Sequence, residues 1–296
     1  MISYIRRFPQ IGLIVVSAWM NAPTLFGEEG VGGERIVLSS GRALEEGTEV
    51  EDNALLTIYH PEKPNGTAII ICPGGGYGVL VQGPEGTGIA EWLAQQGIVG
   101  IVLEYRLPHG DPNRPLSDVQ RAIRMVRANA REWKCDPTRI GVMGFSAGGH
   151  LASTAVTHFE GGSSEAADPL ERMSSRPDFG ILIYPVITMG SLTHAGSKRN
   201  LLGSNPVPAR VELFSNEKQI TKETPPCFLA HALDDTIVSS ENSRMFYEAL
   251  RANDIEAKYL ELPSGGHGLN GYQGPMWEAW KKASLGWLRA QQLLLP

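Results

Sequence analysis

The chain has 296 residues, of which 42% are hydrophobic, and its formal net charge is −6. This hydrophobic content is enough for a sizeable core and excludes a disordered chain, and the length fits one large α/β domain. The acidic balance gives no electrostatic case for nucleic acid or anionic membranes as partners, and it leaves the oligomeric state open.

The first 27 residues have the pattern of a secretory signal peptide. Arg6 and Arg7 precede an apolar run over 11–20, which is too short to span a bilayer but suits the core of such a signal. An N-terminal membrane anchor or a misassigned start codon would be the alternatives. We therefore expect residues 28–296 to form a secreted or periplasmic domain with no stable membrane association once the signal is cleaved.

Strand and helix patterns alternate along the rest of the chain. Apolar or alternating runs predict strands, in the order LLTIYHP, GTAIIIC, GIVGIVLE, RIGVMGF, FGILIYPV, PCFLAHAL and AKYLELP. A short helix is expected to end at Gly97, and an apolar stripe at spacings of three and four predicts a helix over 115–133 with Ser117 or Asp118 as N-cap. The alternation predicts a single α/β domain with a mainly parallel sheet covered by helices on both faces.

The three cysteines indicate neither a disulfide nor a metal site. They are odd in number and show no CxxC pair and no His/Cys ligand spacing. Cys72 and Cys227 lie in apolar runs, so we expect them to be buried thiols that pack as small hydrophobic groups.

The segment GVMGFSAGGH, over 141–150, places Ser146 among glycines between a predicted strand and a helix-compatible segment. GFSAG fits the pattern G-x-S-x-G, in which a nucleophilic serine occupies a strained strand-to-helix turn and bulky neighbours would clash. The helix that follows favours negative charge near its N-terminus. A crowded junction that merely contains a serine is the alternative, since both residue types are common in turns.

A nucleophilic serine needs a histidine base, which in turn needs an orienting carboxylate. After this kind of turn the chain order is serine, acid, histidine. Of the seven histidines, four precede Ser146 or follow it too closely, and His194 has no acid-bearing strand end before it. His231 lies inside an apolar run, where a core histidine is the better interpretation. His267, in LPSGGHG after the last predicted strand, is the candidate base.

The acid is expected at the end of the preceding strand, where HALDD supplies Asp234 and Asp235. Neighbouring residues at a strand end point in different directions, so only one of them can face His267. The residues alone leave this choice open.

The segment PGGGY, over 73–77, follows an early strand and is a source of backbone donors. Glycine lets the backbone approach a substrate oxygen closely, so we expect the N–H groups of Gly75, Gly76 and Ala147 to form an oxyanion hole. A flexible turn or a phosphate cradle would be alternatives, but neither G-K-[ST] nor G-x-G-x-x-G is present. Tyr77 either lines the pocket or packs within the loop.

Two polar segments, over 160–178 and 188–222, are rich in Ser, Gly and Pro and follow predicted elements. We expect both to cross the face of the domain that carries these candidate residues.

Together, PGGGY, GFSAGGH, HALDD and GGHG resemble the motifs of α/β-hydrolase esterases related to hormone-sensitive lipase. LIYPVITMG, THAGSKRNLLG and FSNEKQIT are similar to segments of bacterial secreted acetylxylan and feruloyl esterases, which are often labelled xylanase-like. The resemblance extends from about residue 48 onward and implies the α/β-hydrolase fold for residues 28–296.

The resemblance also implies which carboxylate is the acid. In that family the acid commonly lies in H-G-x-x-D-x-x-V-P, and matching His231 and Val238 to this pattern implies Asp235. The chain departs from the pattern at Ala232 and Ser239. A further departure is Pro73, which stands where the usual H-G-G-G motif begins with histidine.

These residues predict a serine carboxylesterase that needs no cofactor and no metal, with Ser146, Asp235 and His267 as its triad. The resemblance and the predicted export imply a small ester or an acylated carbohydrate as its partner, foremost acetyl groups on xylan or a related plant polysaccharide. Feruloyl esters are the next substrates in order, and a formamidase or peptidase-type hydrolase could use the same residues. A non-catalytic binding protein would generally have lost one of the three.

Overall fold

The computed structural model describes residues 33–44 and 53–294, which belong to one compact unit. The predicted signal peptide lies outside the described residues. The unit is built on one sheet of nine strands in the order β2-β1-β3-β5-β4-β6-β7-β8-β9. The strands are β1 (Glu34–Val37), β2 (Arg42–Ala43), β3 (Leu55–Tyr59), β4 (Gly66–Cys72), β5 (Val99–Glu104), β6 (Cys135–Phe145), β7 (Phe179–Ile183), β8 (Cys227–Ala232) and β9 (Ala257–Leu262).

The predicted mainly parallel sheet is confirmed, because strands β4 to β9 all pair in parallel. The pairs β3–β5, β1–β3 and β1–β2 are antiparallel. The central strand β4 is apolar along its length because both of its faces are covered. Ile69 and Ile71 join the core on one face of the sheet, whereas Ile70 and Cys72 join the core on the other.

The described helices lie between the parallel strands or follow β9. They are α1 (Gly88–Gln95), α2 (Asn113–Ala128), α3 (Ser146–Thr157), α4 (Ala195–Leu202), α5 (Pro208–Leu213), α6 (Glu241–Ala252), the short kinked α7 (Leu269–Tyr272) and α8 (Gly274–Ala290). A five-residue π-turn, Gly83–Thr87, leads directly into α1. The fold is that of an α/β-hydrolase in a single domain.

The predicted N-cap of α2 is wrong, because this helix begins at Asn113 with a proline in its first turn. The Ser117 hydroxyl donates to the Arg114 carbonyl inside the helix. Asp118 is buried and forms an ion pair with Arg106, at 2.6 Å. The Asp118 carboxylate, which the local pattern assigned to helix capping, therefore forms a tertiary contact instead.

The predicted location of 160–178 is also wrong. The helix α3 carries the chain from the carboxyl edge of the sheet back to its amino edge, where β7 then begins. The segment consequently packs along α2: Arg121 pairs with Asp168, and Arg124 donates to the Met173 carbonyl.

The cysteines Cys72 and Cys227 are buried free thiols, as predicted, and Cys135 is buried and free as well. Burial raises the pKa of the Cys227 thiol to about 12. Among the described residues, no helix is both long and apolar enough to cross a bilayer. Within the same ranges, His, Cys, Asp and Glu side chains form no cluster suited to a metal ion.

Candidate active site

The turn between β6 and α3 holds Ser146 in a left-handed conformation, with φ of 53°. A side chain at Gly144 would place its Cβ 2.1 Å from the Gly148 carbonyl oxygen. A Cβ at Gly148 would lie 2.0 Å from the Cys72 carbonyl oxygen at the end of β4. The glycines around the serine are therefore required by close backbone approach rather than by turn flexibility.

Three predicted residues from distant parts of the chain form one hydrogen-bonded line. The Ser146 hydroxyl lies 2.8 Å from His267 Nε2, and His267 Nδ1 lies 2.7 Å from Asp235 Oδ2. Because a carboxylate only accepts, Nδ1 carries the proton and Nε2 accepts from the serine hydroxyl. The serine residue is 8% exposed, so this line ends near the surface at the carboxyl edge of the sheet.

Asp235 lies in the loop after β8, and its side chain accepts from four donors. Its Oδ1 accepts from the amides of Ile237 and Val238, each at 2.9 Å. Its Oδ2 accepts from His267 and, at 3.3 Å, from His231 Nε2. Burial alone would raise the pKa of Asp235, but hydrogen bonds from His231, His267 and the Val238 amide outweigh it and hold the pKa well below its usual value.

The neighbouring Asp234 faces a different part of the same loop system. It accepts from the amides of Gly265 and Gly266, at 3.2 and 2.8 Å. These glycines directly precede His267, so Asp234 stabilises the turn on which the histidine sits. The two adjacent carboxylates thus have separate partners, and the one in contact with the imidazole is Asp235.

The sequence interpretation missed the contact that His231 makes with Asp235. His231 is buried, as expected of a core histidine, and its Nδ1 lies 2.8 Å from the Ser243 hydroxyl. Its Nε2–H donates to the Val238 carbonyl at 2.9 Å as well as to Asp235. The four-residue spacing between His231 and Asp235 was the available signal, but the contact requires the chain to turn back after β8.

The loop over residues 73–79, here called the glycine loop, lies beside the serine. A Cβ at Gly74 would be 2.9 Å from the Ser146 Cβ. Side chains or turn amides occupy most of the polar backbone groups of this loop. Tyr105 donates to the Pro73 carbonyl at 2.7 Å, and Asn200 donates to the Gly76 carbonyl at 2.9 Å.

The N–H groups of Gly75 and Gly76, like that of Tyr77, have no acceptor within 33–44 or 53–294. The Gly74 N–H, by contrast, donates to the Glu85 carboxylate at 2.7 Å. The Ala147 N–H lies in the first turn of α3, where amides have no helical partner. The three amides predicted to act together therefore lie on the two loops that meet at the serine.

Tyr77 packs within the glycine loop and does not line an open pocket. It is 2% exposed, and its hydroxyl lies 2.9 Å from His150 Nδ1. The other ring nitrogen of His150 lies 2.8 Å from the Phe214 carbonyl, so His150 links the glycine loop to the segment after α5. Burial lowers the pKa of this histidine to about 4, which keeps it neutral.

The segment over 188–222 crosses the site, as predicted. Its helix α4 contacts the glycine loop through Asn200, and His194 caps the same helix by accepting from the Ser197 amide. The ring of His194 lies close to Gly76: a Cβ added at this glycine would be 3.8 Å from the His194 Cε1.

Comparison with known proteins agrees with this architecture. The BD-FAE family matches residues 56–250, a range that includes Ser146 and Asp235 but ends before His267. The crystal structure of an acetyl ester-xyloside bifunctional hydrolase from Caldicellulosiruptor lactoaceticus superposes with a TM-score of 0.81 at 37% identity. That match covers 91% of this chain and 100% of the other.

Two curated relatives are longer proteins. An acetylxylan esterase of Xylanibacter ruminicola is 38% identical over 223 residues, which are 74% of this chain and 44% of the relative. An endo-1,4-beta-xylanase B of Butyrivibrio fibrisolvens is 36% identical over 233 residues, which are 76% of this chain and 36% of the relative. The chain thus spans less than half the length of either curated relative.

Fold, site and relatives place the chain among proteins with the α/β-hydrolase fold, and the named relatives include carboxylic ester hydrolases. Among these proteins, the chain belongs to the BD-FAE family. The resemblance to esterases related to hormone-sensitive lipase, expected from the motifs, is confirmed.

Proposed function

We propose that this chain is a serine carboxylesterase that removes short acyl groups, foremost acetyl groups from xylan or a related plant polysaccharide. The observation that carries the proposal is the line from the Ser146 hydroxyl through His267 to Asp235, with distances of 2.8 and 2.7 Å. Such a line supplies a nucleophile, its base and the group that orients the base.

In the proposed mechanism, His267 Nε2 takes the hydroxyl proton as Ser146 Oγ attacks the ester carbonyl carbon. Asp235 keeps the proton on Nδ1 and stabilises the imidazolium. The amides of Gly75, Gly76 and Ala147 donate to the oxyanion. The tetrahedral intermediate then expels the alcohol, which receives its proton from the imidazolium, and water hydrolyses the acyl-serine by the same steps. Each oxyanion donor of this kind contributes about 3 kcal/mol to the transition state.

The choice of an acetylated carbohydrate is supported by the names of the relatives. One is an acetylxylan esterase, and the bifunctional hydrolase is described as acting on acetyl ester and xyloside. The proposal extends only the ester-cleaving activity to this chain.

Acetate release from acetylated xylan, with Ser146→Ala beside the unchanged chain, tests the proposal. We expect release that the substitution abolishes. Turnover of an aryl acetate without release from xylan would remove the polysaccharide from the proposal, and feruloyl esters and formamides would be assayed next. Activity that persists in Ser146→Ala would refute the serine mechanism.

We also propose that the enzyme acts outside the cytoplasm, as a secreted or periplasmic protein. The support is the basic pair and apolar run within residues 1–27. N-terminal sequencing of the protein recovered after cell fractionation tests this, and an uncleaved chain in the cytoplasmic fraction would contradict it.

A further inference from the structure

A buried carboxylate lies next to the site but takes no part in the proposed steps. Glu85 is 2% exposed and belongs to the π-turn that precedes α1. Its Oε2 accepts from the Gly74 amide at 2.7 Å, and its Oε1 accepts from the Tyr184 hydroxyl at 3.0 Å. Within the described ranges, no lysine or arginine forms an ion pair with it. Burying a carboxylate that only neutral donors contact costs free energy of folding, which suggests that Glu85 has a role beyond packing.

One side of Glu85 holds the glycine loop. Because the Gly74 N–H donates to the carboxylate, it points away from the substrate side, and the following amides of Gly75 and Gly76 have no acceptor within 53–294. Gly74 also lies tightly against the serine, since a Cβ there would be 2.6 Å from Glu85 Oε2 and 2.9 Å from the Ser146 Cβ. A change at Glu85 therefore acts directly on the loop that carries the proposed oxyanion donors.

The other side of Glu85 holds the surroundings of His267. The ring of Tyr184 lies against the imidazole, with centroids 4.9 Å apart, and its hydroxyl donates to Glu85. Burial and the nearby charge of Glu85 raise the pKa of Tyr272, in the segment that follows the histidine, to about 12. Tyr184 has a positive φ of 37°, so its hydrogen bond to Glu85 holds strained backbone in place.

We propose that Glu85 is a positioning residue that fixes the oxyanion donors and the base relative to one another. The inference rests on the proposed serine esterase function. The carboxylate itself touches neither the substrate nor the reacting atoms. It acts through the Gly74 amide on the glycine loop and through the Tyr184 hydroxyl, whose ring lies against His267. Burial raises its pKa although the Gly74 amide and the Tyr184 hydroxyl oppose this, and either protonation state retains an oxygen that accepts from Gly74.

The test compares Glu85→Gln with Glu85→Leu. Glutamine keeps an oxygen that can accept from the Gly74 amide, whereas leucine removes both acceptors. We expect Glu85→Leu to lower kcat on an aryl acetate by about 10- to 100-fold while KM changes by less than about threefold, because oxyanion donors act in the transition state. Glu85→Gln should recover kcat to within about fivefold of the unchanged enzyme. Glu91→Leu, at an exposed glutamate of α1, is the matched control and should leave both constants unchanged.

Each kcat is expressed per serine labelled by a phosphonate probe, so that unfolded protein is not counted. If Glu85→Leu does not fold, Tyr184→Phe decides in its place, because it removes one hydrogen bond and keeps the ring; a fall in kcat of about three- to tenfold is expected. Unchanged kcat per labelled site in the folded variants would overturn the inference, as would equal losses for glutamine and leucine. Failure of the unchanged chain to be labelled or to cleave the ester would instead overturn the proposed function.

Discussion

The substitution Asp235→Asn tests the hydrogen-bonded line at its acid. Asparagine has the same shape, and its oxygen can keep the amides of Ile237 and Val238, which lie at 2.9 Å from Oδ1. Its NH₂ group then stands where Oδ2 accepted from His267 Nδ1 at 2.7 Å. Two donors cannot face each other, so the imidazole must place its proton on Nε2 and leave Nδ1 as acceptor.

That tautomer directs an N–H at the serine hydroxyl, which can no longer give up its proton. The corresponding change in the best-studied triad lowers kcat by about 10⁴, which is about 5.5 kcal/mol of transition-state stabilisation. We expect a loss of that order for Asp235→Asn, measured as kcat on an aryl acetate. Stability should fall by only about 1–3 kcal/mol, because one buried donor of His231 faces the new NH₂ group.

The matched control is Asp234→Asn, one residue away. Asp234 accepts from the Gly265 and Gly266 amides, and asparagine keeps one of these acceptors. We expect a loss of less than about tenfold, caused by a looser turn before His267. Equal kcat values for the two variants, or a larger loss for Asp234→Asn, would show that the assignment of the acid is wrong.

Two further predictions concern stability. His150 is neutral when folded because burial lowers its pKa from 6.5 to about 4, so the unfolded chain binds the proton first as the pH falls. The contribution of His150 to the free energy of unfolding is therefore complete above about pH 6.5. About 2 kcal/mol of that free energy should be lost between pH 7 and pH 5. Urea unfolding at both pH values should show a smaller loss for His150→Gln, and an equal loss would contradict the reasoning. Gly148→Ala should destabilise by about 3 kcal/mol or more, because its Cβ would meet two carbonyl oxygens at 2.0 and 2.4 Å. Gly286 lies in the interior of α8, and a Cβ added there would have no neighbouring atom within 4 Å, so Gly286→Ala should instead stabilise the protein by about 0.5–1 kcal/mol. Thermal unfolding measures both changes. A stability change of the same sign for both variants would refute the steric argument.

The sequence was most informative where one local feature sets the structure. Continuous apolar runs predicted the parallel strands, because a strand covered on both faces has no polar side to show. The glycines around Ser146 marked a turn that leaves no room for a Cβ. Chain order then selected His267 as the candidate base among seven histidines.

Local patterns failed where a distant partner decides the outcome. Asp118 has a sequence position typical of a helix cap, but its carboxylate forms an ion pair with Arg106. The polar segment 160–178 has the composition of a loop over the site, yet α3 delivers it to the opposite edge of the sheet. The choice between Asp234 and Asp235 likewise depends on how the loop turns after β8, since both carboxylates accept hydrogen bonds from the same region of the chain.

Glu85 could not be found from the sequence for a related reason. Its hydrogen-bond partners Gly74 and Tyr184 follow two different strands, and they come together only because the carboxyl ends of β4 and β7 meet at one edge. Nothing in its own neighbourhood, GPEGT, distinguishes it from a surface glutamate of a turn.

Backbone strain in the described residues is concentrated at this edge. Non-glycine residues with positive φ include Tyr77, Ser146, Tyr184, Leu269 and Tyr272, which lie on the glycine loop, the serine turn and the loops after β7 and β9. Such conformations cost about 1–3 kcal/mol each and persist only where the surroundings hold them. The buried hydrogen bonds of His150 to Tyr77 and of Glu85 to Tyr184 supply that restraint. The residues that the sequence did not reveal are therefore those that keep the strained loops in place, because strain and its restraint arise only when separate loops are brought together.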